Sequence, residues 1–165
     1  MKTSFVAFSV LATMGLSFAG CGGESPEPSS SANSSAEVDA CTLLTAADIT
    51  ATTGITPGEA ERPNPGLNNC QWPGLGSPLP LVYIGLSNAA ANSWEEYRQE
   101  MIDNDLGDPE EEGERIDIGV FGHYHPDVAM IQVQTVQGPL ITLRVRDGDK
   151  AQIVDLAGNA AARLR

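Results

Sequence analysis

Cys21 restricts the folding of this chain more than any other residue, because it separates an N-terminal leader from the part that is free to fold. Residues 16–21 read LSFAGC and follow an apolar stretch, residues 5–18, with Lys2 as the basic residue before it. Fourteen helical residues span about 21 Å, which is short of the roughly 30 Å hydrocarbon core of a bilayer. The pattern predicts a cleaved lipoprotein signal peptide over residues 1–20, with Cys21 as the lipidated first residue. An ordinary secretory signal followed by a chance cysteine is the alternative.

The charge balance determines what kind of membrane attachment this chain can have. Nine basic residues stand against 22 acidic ones, a net charge of −13, and loss of Lys2 with the signal leaves eight basic residues and −14. Nucleic acid and anionic lipid head groups repel so acidic a chain. We therefore expect no nucleic-acid partner, and a membrane attachment made by acyl chains on Cys21. The predicted location is extracytoplasmic, at the outer leaflet of the cell membrane or in the outer membrane or periplasm of a two-membrane bacterium.

Composition divides the rest of the chain into a linker and one domain. Residues 22–39 contain six serines and two prolines but few apolar side chains. Such a segment cannot bury enough surface to order itself, so residues 21–39 are predicted to be a lipid-anchored linker. Residues 40–165 are numerous enough for a single hydrophobic core and are predicted to form one domain.

Two cysteines, Cys41 and Cys70, lie in the predicted domain. In the oxidising compartment implied by the signal, two cysteines most simply form one disulfide. Closing a loop of this length stabilises a fold by roughly 3–4 kcal/mol in the chain-entropy model. A redox or metal-binding pair is the alternative, but the spacing is not that of a C-x-x-C motif.

Local start signals predict three helices. Thr45 and Ser93 each precede an acidic residue in capping-box register, Asp48 and Glu96, and Asp149 precedes the third helix. Strands are predicted at residues 79–86, 128–136 and 140–146, with shorter ones around residues 70–72 and at 115–120.

The strand at residues 140–146 alternates apolar and polar side chains, as a strand with one buried and one wet face requires. The order of helices and strands predicts an α+β fold, an antiparallel sheet with helices packed on one face and one disulfide.

Short motifs along the predicted domain carry a resemblance to a known group of proteins. Residues 41–45 read CTLLT, residues 70–72 read CQW and residues 119–122 read GVFG. In this pattern the chain resembles an uncharacterised, mainly actinobacterial lipoprotein family classed as a domain of unknown function. The resemblance covers most of residues 40–165 and implies the lipid anchor, the pairing of the two cysteines and the α+β fold, but no catalytic residues. The segment 123–125 departs from the family pattern.

An acidic segment, residues 103–117, is the first candidate for a binding site. Asp103, Asp105 and Glu114 fall at positions 1, 3 and 12 of an EF-hand-length loop. Asp108 stands where that loop requires glycine, so the EF-hand interpretation fails. A solvated acidic loop is favoured, with a weak cation site as the alternative.

A second candidate is the segment around two histidines. In an extended segment His123, His125 and Asp127 point to one side, where two imidazoles and a carboxylate are suited to a transition metal. Pro126 argues against a regular central strand, so a turn leading into the strand that starts at Val128 is the favoured interpretation.

The sequence carries no recognisable catalytic motif. It has no Gly-x-Ser-x-Gly elbow and no phosphate-binding glycine loop, so we expect neither an enzyme nor a cofactor. The predicted function is a lipid-anchored extracytoplasmic module that binds an envelope protein or a small ligand. The alternative is a cation- or metal-binding lipoprotein that uses residues 103–117 or His123 and His125.

Overall fold

The computed structural model describes residues 38–77, 79–88, 91–136 and 138–164. The predicted signal peptide, the lipidated Cys21 and most of the predicted linker lie outside these residues. Within the described residues the strands form one antiparallel sheet in the order β1-β2-β6-β5-β4-β3. In chain order the elements are a 3-10 helix Ala40–Thr42, α1 Ala46–Thr53, β1 Asn69–Pro73, β2 Pro80–Ser87, α2 Trp94–Asp103, α3 Pro109–Glu112, β3 Glu114–Ile116, β4 Phe121–His125, a 3-10 turn Pro126–Val128, β5 Met130–Gln134, β6 Leu140–Val145 and α4 Lys150–Ala162.

The three predicted helix starts are confirmed. The Thr45 hydroxyl accepts a hydrogen bond from the Asp48 N–H at 3.2 Å, and the Asp48 carboxylate accepts from the Thr45 N–H at 2.7 Å. Asp149 forms the same reciprocal box with Gln152 at the start of α4. Ser93 also caps α2, although the Glu96 carboxylate accepts from the preceding residue's N–H rather than from that of Ser93. These contacts span three or four residues, which is why sequence alone reveals them.

The segment from 114 to 134 differs from the prediction. Its expected single strand at 115–120 is the three-residue β3, and residues 121–125, expected to be a turn, form β4. Between them Gly119 adopts φ 67°, and the extended chain resumes at Phe121. Gly122 lets β4 pass close to this turn, because a Cβ there would lie 2.5 Å from Ile118 Cγ2. The predicted turn is confined to Pro126–Val128.

The main core lies on one face of the sheet, under the first 3-10 helix, α1 and α4. The disulfide between Cys41 and Cys70, with Cα atoms 5.0 Å apart, joins that 3-10 helix to β1. The α+β class, the antiparallel sheet and the disulfide are therefore confirmed. Fully buried side chains of this core include Ile49, Val82, Ile84, Ile131, Val133, Ile141, Leu143, Ile153, Leu156 and Ala157.

A smaller cluster lies on the opposite face of the sheet. Alternation along β4 turns Tyr124 toward the main core and Phe121 and His123 away from it. Helix α2 covers these two side chains with Trp94 and Tyr97, which lie 5.7 Å and 5.0 Å from the Phe121 ring between centroids. Helices α1 and α4 thus pack on one face of the sheet, as predicted, whereas α2 lies on the opposite face, where the prediction had placed no helix.

The rest of this second face, over β2 and β6, is more accessible. Arg144 is exposed there, and Tyr83, Thr142 and Met130 are half-buried. In the part of the chain that the structure describes, no helix is long and apolar enough to cross a bilayer.

Candidate ligand-binding groove

His123, the first of the predicted metal ligands, is part of the structural core. Its side chain is 0% exposed, and its Nε2 lies 2.9 Å from the Pro109 carbonyl oxygen. Because a carbonyl only accepts, Nε2 carries the proton and donates it. Nδ1 lies 3.4 Å from the Tyr97 hydroxyl, which donates to Gln132 Oε1 at 2.9 Å. The hydrogen bond from His123 to Pro109 thus connects β4 to α3.

Burial determines the protonation of His123. Desolvation, helped by the neighbouring His125, lowers the pKa of His123 from 6.5 to about 4, although the hydrogen bond to Pro109 acts in the other direction. The imidazole is therefore neutral at neutral pH.

The other two predicted ligands do not complete a metal site with it. The rings of His123 and His125 lie 4.0 Å apart between centroids, and His125 Nε2 is buried with no hydrogen-bond partner. Asp127 is exposed on the following 3-10 turn. Among the residues described, no three His, Cys, Asp or Glu side chains are grouped so that they could hold a metal ion.

The acidic segment is partly folded. Asp108 caps α3 by accepting from the Glu110 N–H at 3.0 Å, and it accepts a further hydrogen bond from Arg98 Nε at 2.8 Å. The Arg98 guanidinium holds the pKa of Asp108 at about 2. Glu114 forms an ion pair with Lys150. Other members remain exposed to solvent: Asp103, Asp105, Glu111, Glu112 and Asp117.

A groove of about 380 Å³ lies at the end of the sheet where β2 begins and β6 ends. Its size is at the lower end of the range for sites that take small molecules. Leu79 and Val128 contribute apolar surface that is unusually accessible, with 60% and 41% of these residues exposed. The lining consists of Leu79, Pro80, Leu81, Tyr83, Asp127, Val128, Ala129, Arg144, Val145, Arg146 and Asp147.

Arg146 builds one wall of the groove. Its guanidinium donates to Ser77 Oγ at 2.8 Å and to the Leu79 carbonyl at 3.0 Å, which holds the loop before β2 against the end of β6. Gly74 leaves room for this side chain, since a Cβ there would lie 2.7 Å from the Arg146 Nη2. Because these hydrogen bonds use its guanidinium to stabilise the loop, Arg146 has a structural role.

Arg144 is the cation in this groove that is left for a ligand. It lies opposite Tyr83 on β2 and Met130 on β5, and it forms no hydrogen bond or ion pair with any other described residue. Every other described basic side chain takes part in an ion pair: Arg62, Arg98, Arg115, Arg146, Lys150 and Arg163. An unpaired guanidinium in so acidic a chain is suited to a carboxylate or phosphate.

Tyr83 gives the groove an aromatic surface beside this cation. Its hydroxyl lies 3.0 Å from the point where a Cβ on Gly85 would be, so the side chain extends along the sheet over that glycine. A glycine in a strand often marks such a close approach. The guanidinium and the aromatic ring, neighbours across two strands, thus provide adjacent polar and apolar surfaces.

Sequence reasoning placed Arg144 on the wet face of an alternating strand but did not identify it as a site residue. Arg144 is distinguished by the absence of a hydrogen-bond or ion-pair partner among the described residues. That absence depends on which side chains β2 and the turn before β5 place around it, and a local sequence pattern does not show this. Comparison of the chain with protein-family models, with curated proteins and with solved structures gave no match. The functional interpretation therefore depends on the chemistry of the groove alone.

Proposed function

We propose that this protein is a lipid-anchored extracytoplasmic binding module whose groove takes a small ligand with an apolar body and an anionic group. The observation that carries the proposal is the unpaired guanidinium of Arg144 beside the exposed Leu79 and Val128. The apolar body would lie against these side chains and Tyr83, and the anion would accept hydrogen bonds from Arg144.

The predicted anchor supports a function at a membrane surface. Acyl chains on Cys21 would hold the protein there. The disulfide between Cys41 and Cys70 is consistent with an oxidising compartment outside the cytoplasm.

The small-ligand hypothesis is favoured over the metal-binding alternative by the arrangement of the histidines. Both nitrogens of His123 face protein atoms, and Asp127 lines the groove as well as a second pocket that contains His125 but not His123. A metal ion bound by these three residues would have to displace one of the His123 contacts, that of Nε2 with the Pro109 carbonyl or that of Nδ1 with the Tyr97 hydroxyl.

Calorimetric titration of the full-length protein in lipid nanodiscs with 3-phenylpropionate tests the proposal, because this compound joins a carboxylate to an apolar ring. We expect saturable binding at millimolar concentration, weakened about tenfold by Arg144→Gln through loss of a charge-assisted hydrogen bond. Arg62→Gln is the matched control, since that arginine pairs with Asp39 at a distance from the groove. Equal affinities of the Arg144→Gln variant and the unmodified protein would contradict the proposal.

A further inference from the structure

We infer that the ligand of this groove is a zwitterion, whose cationic group is recognised by Asp127 while its anionic group is bound by Arg144. The inference rests on the proposed function and adds a second charged contact to it. The ligand class is a small molecule that carries an ammonium and an anionic group on an apolar body.

The groove contains two arginines and two aspartates. One arginine and one aspartate, Arg146 and Asp147, form an ion pair with each other. Arg146 donates to Ser77 and to the Leu79 carbonyl, and its Nε lies 3.9 Å from Asp147 Oδ2. Arg144 and Asp127 remain, and neither forms an ion pair or hydrogen bond with the rest of the described chain. Both line the groove, but they do not pair with each other.

Two separate elements hold these unpaired groups apart. Arg144 lies near the end of β6, and Asp127 lies in the 3-10 turn that leads into β5. The two elements are joined by the hydrogen bond from the Val145 N–H to the Ala129 carbonyl at 3.3 Å. Because this backbone contact holds the two elements together, both charges line the same groove without rearrangement of the sheet.

The two unpaired charges, Arg144 and Asp127, also determine which ligands are disfavoured. A simple anion bound at Arg144 would be repelled by Asp127, and a simple cation at Asp127 would be repelled by Arg144. A zwitterion pairs with both groups and leaves neither charge without a partner. Its apolar part then contacts Leu79 and Val128.

The same chemistry occurs in two sources, a free amino acid with an apolar side chain and the head group of phosphatidylethanolamine. Nanodiscs of defined lipid distinguish them. If the lipid head group is the ligand, phenylalanine will bind more weakly to the protein in phosphatidylethanolamine nanodiscs than in phosphatidylglycerol nanodiscs. Equal affinity in the two lipids assigns the groove to a free zwitterion.

Three matched compounds test the inference by calorimetry on the full-length protein in phosphatidylglycerol nanodiscs: phenylalanine, 3-phenylpropionate, which lacks the amine, and phenethylamine, which lacks the carboxylate. We expect phenylalanine to bind about tenfold more tightly than either of the others. Asp127→Asn should reduce the affinity for phenylalanine to that for 3-phenylpropionate. Asp117→Asn, an exposed carboxylate after β3, should change nothing.

The outcomes separate this inference from the proposed function. If phenylalanine and 3-phenylpropionate bind equally well and Asp127→Asn has no effect, the zwitterion inference is wrong and the anion site at Arg144 stands. If none of the three compounds binds at millimolar concentration, both are wrong. Because Asp127 is exposed and makes no described hydrogen bond, the Asp127→Asn variant should fold normally.

Discussion

Acidification should destabilise this domain through His123 before any of its carboxylates with lowered pKa values is protonated. The unfolded chain binds a proton at His123 near pH 6.5, whereas burial delays protonation of the folded protein to about pH 4, the lowered pKa of His123. Between these values the unfolded state binds more protons, so the free energy of unfolding falls as the pH falls. At 1.36 kcal/mol per pKa unit, the loss between pH 7 and pH 4.5 is about 2–3 kcal/mol.

Other titrating groups act in a different pH range. The pKa of Asp48, lowered to about 2 chiefly by the hydrogen bond from Arg163, and that of Asp108, lowered to about 2 by Arg98, both lie below this window. The stability that these carboxylates provide is present above pH 4 and is lost as the pH falls toward 2. The change between pH 7 and pH 4.5 should therefore report mainly on His123.

Urea unfolding at pH 7 and pH 4.5 measures the effect in the unmodified protein and in His123→Gln. Glutamine is polar but does not titrate, and its amide is able to donate to the Pro109 carbonyl in place of Nε2. We expect the unmodified protein to lose about 2–3 kcal/mol and the variant less than about 1 kcal/mol. His125→Gln is the matched control on the same strand. Equal losses in the unmodified protein and His123→Gln would refute the reasoning.

Two further predictions concern the cysteines. Replacing both Cys41 and Cys70 by serine should lower the free energy of unfolding by roughly 3–4 kcal/mol, because the disulfide no longer restricts the unfolded chain; an unchanged urea midpoint would contradict this. Cys21→Ser should release a folded domain from the membrane fraction, since acyl chains are the expected attachment of so acidic a chain. Fractionation of cells followed by circular dichroism measures both release and folding, and persistent membrane binding would count against the anchor.

Sequence was most informative where structure depends on near neighbours. The caps at Thr45 and Asp149 are hydrogen bonds between residues three apart, so the local pattern suffices to locate the starts of α1 and α4. The disulfide was predicted from two cysteines in a chain with a predicted export signal. The alternation of β6 correctly separated Ile141 and Leu143 from Arg144.

The structure differs from the sequence-based prediction where an element is stabilised by residues that are distant in the chain. Strand β4 contains glycine and two histidines, which have little preference for a strand, and it is held by hydrogen-bonded pairing with β3 and β5. The four-residue α3 is stabilised by its Asp108 cap and by His123, which contacts the Pro109 carbonyl across 14 positions.

The sequence by itself determined the class of the fold, the starts of α1, α2 and α4, the disulfide and the expectation of a lipid anchor at Cys21. Only the tertiary structure decided which residues line the groove in which we propose that a ligand binds. Arg144 and Asp127 are 17 positions apart, and strand pairing brings them together with Tyr83 from β2. That pairing depends on the register of the whole sheet, and a local pattern cannot specify it because each strand's partners are remote in the chain.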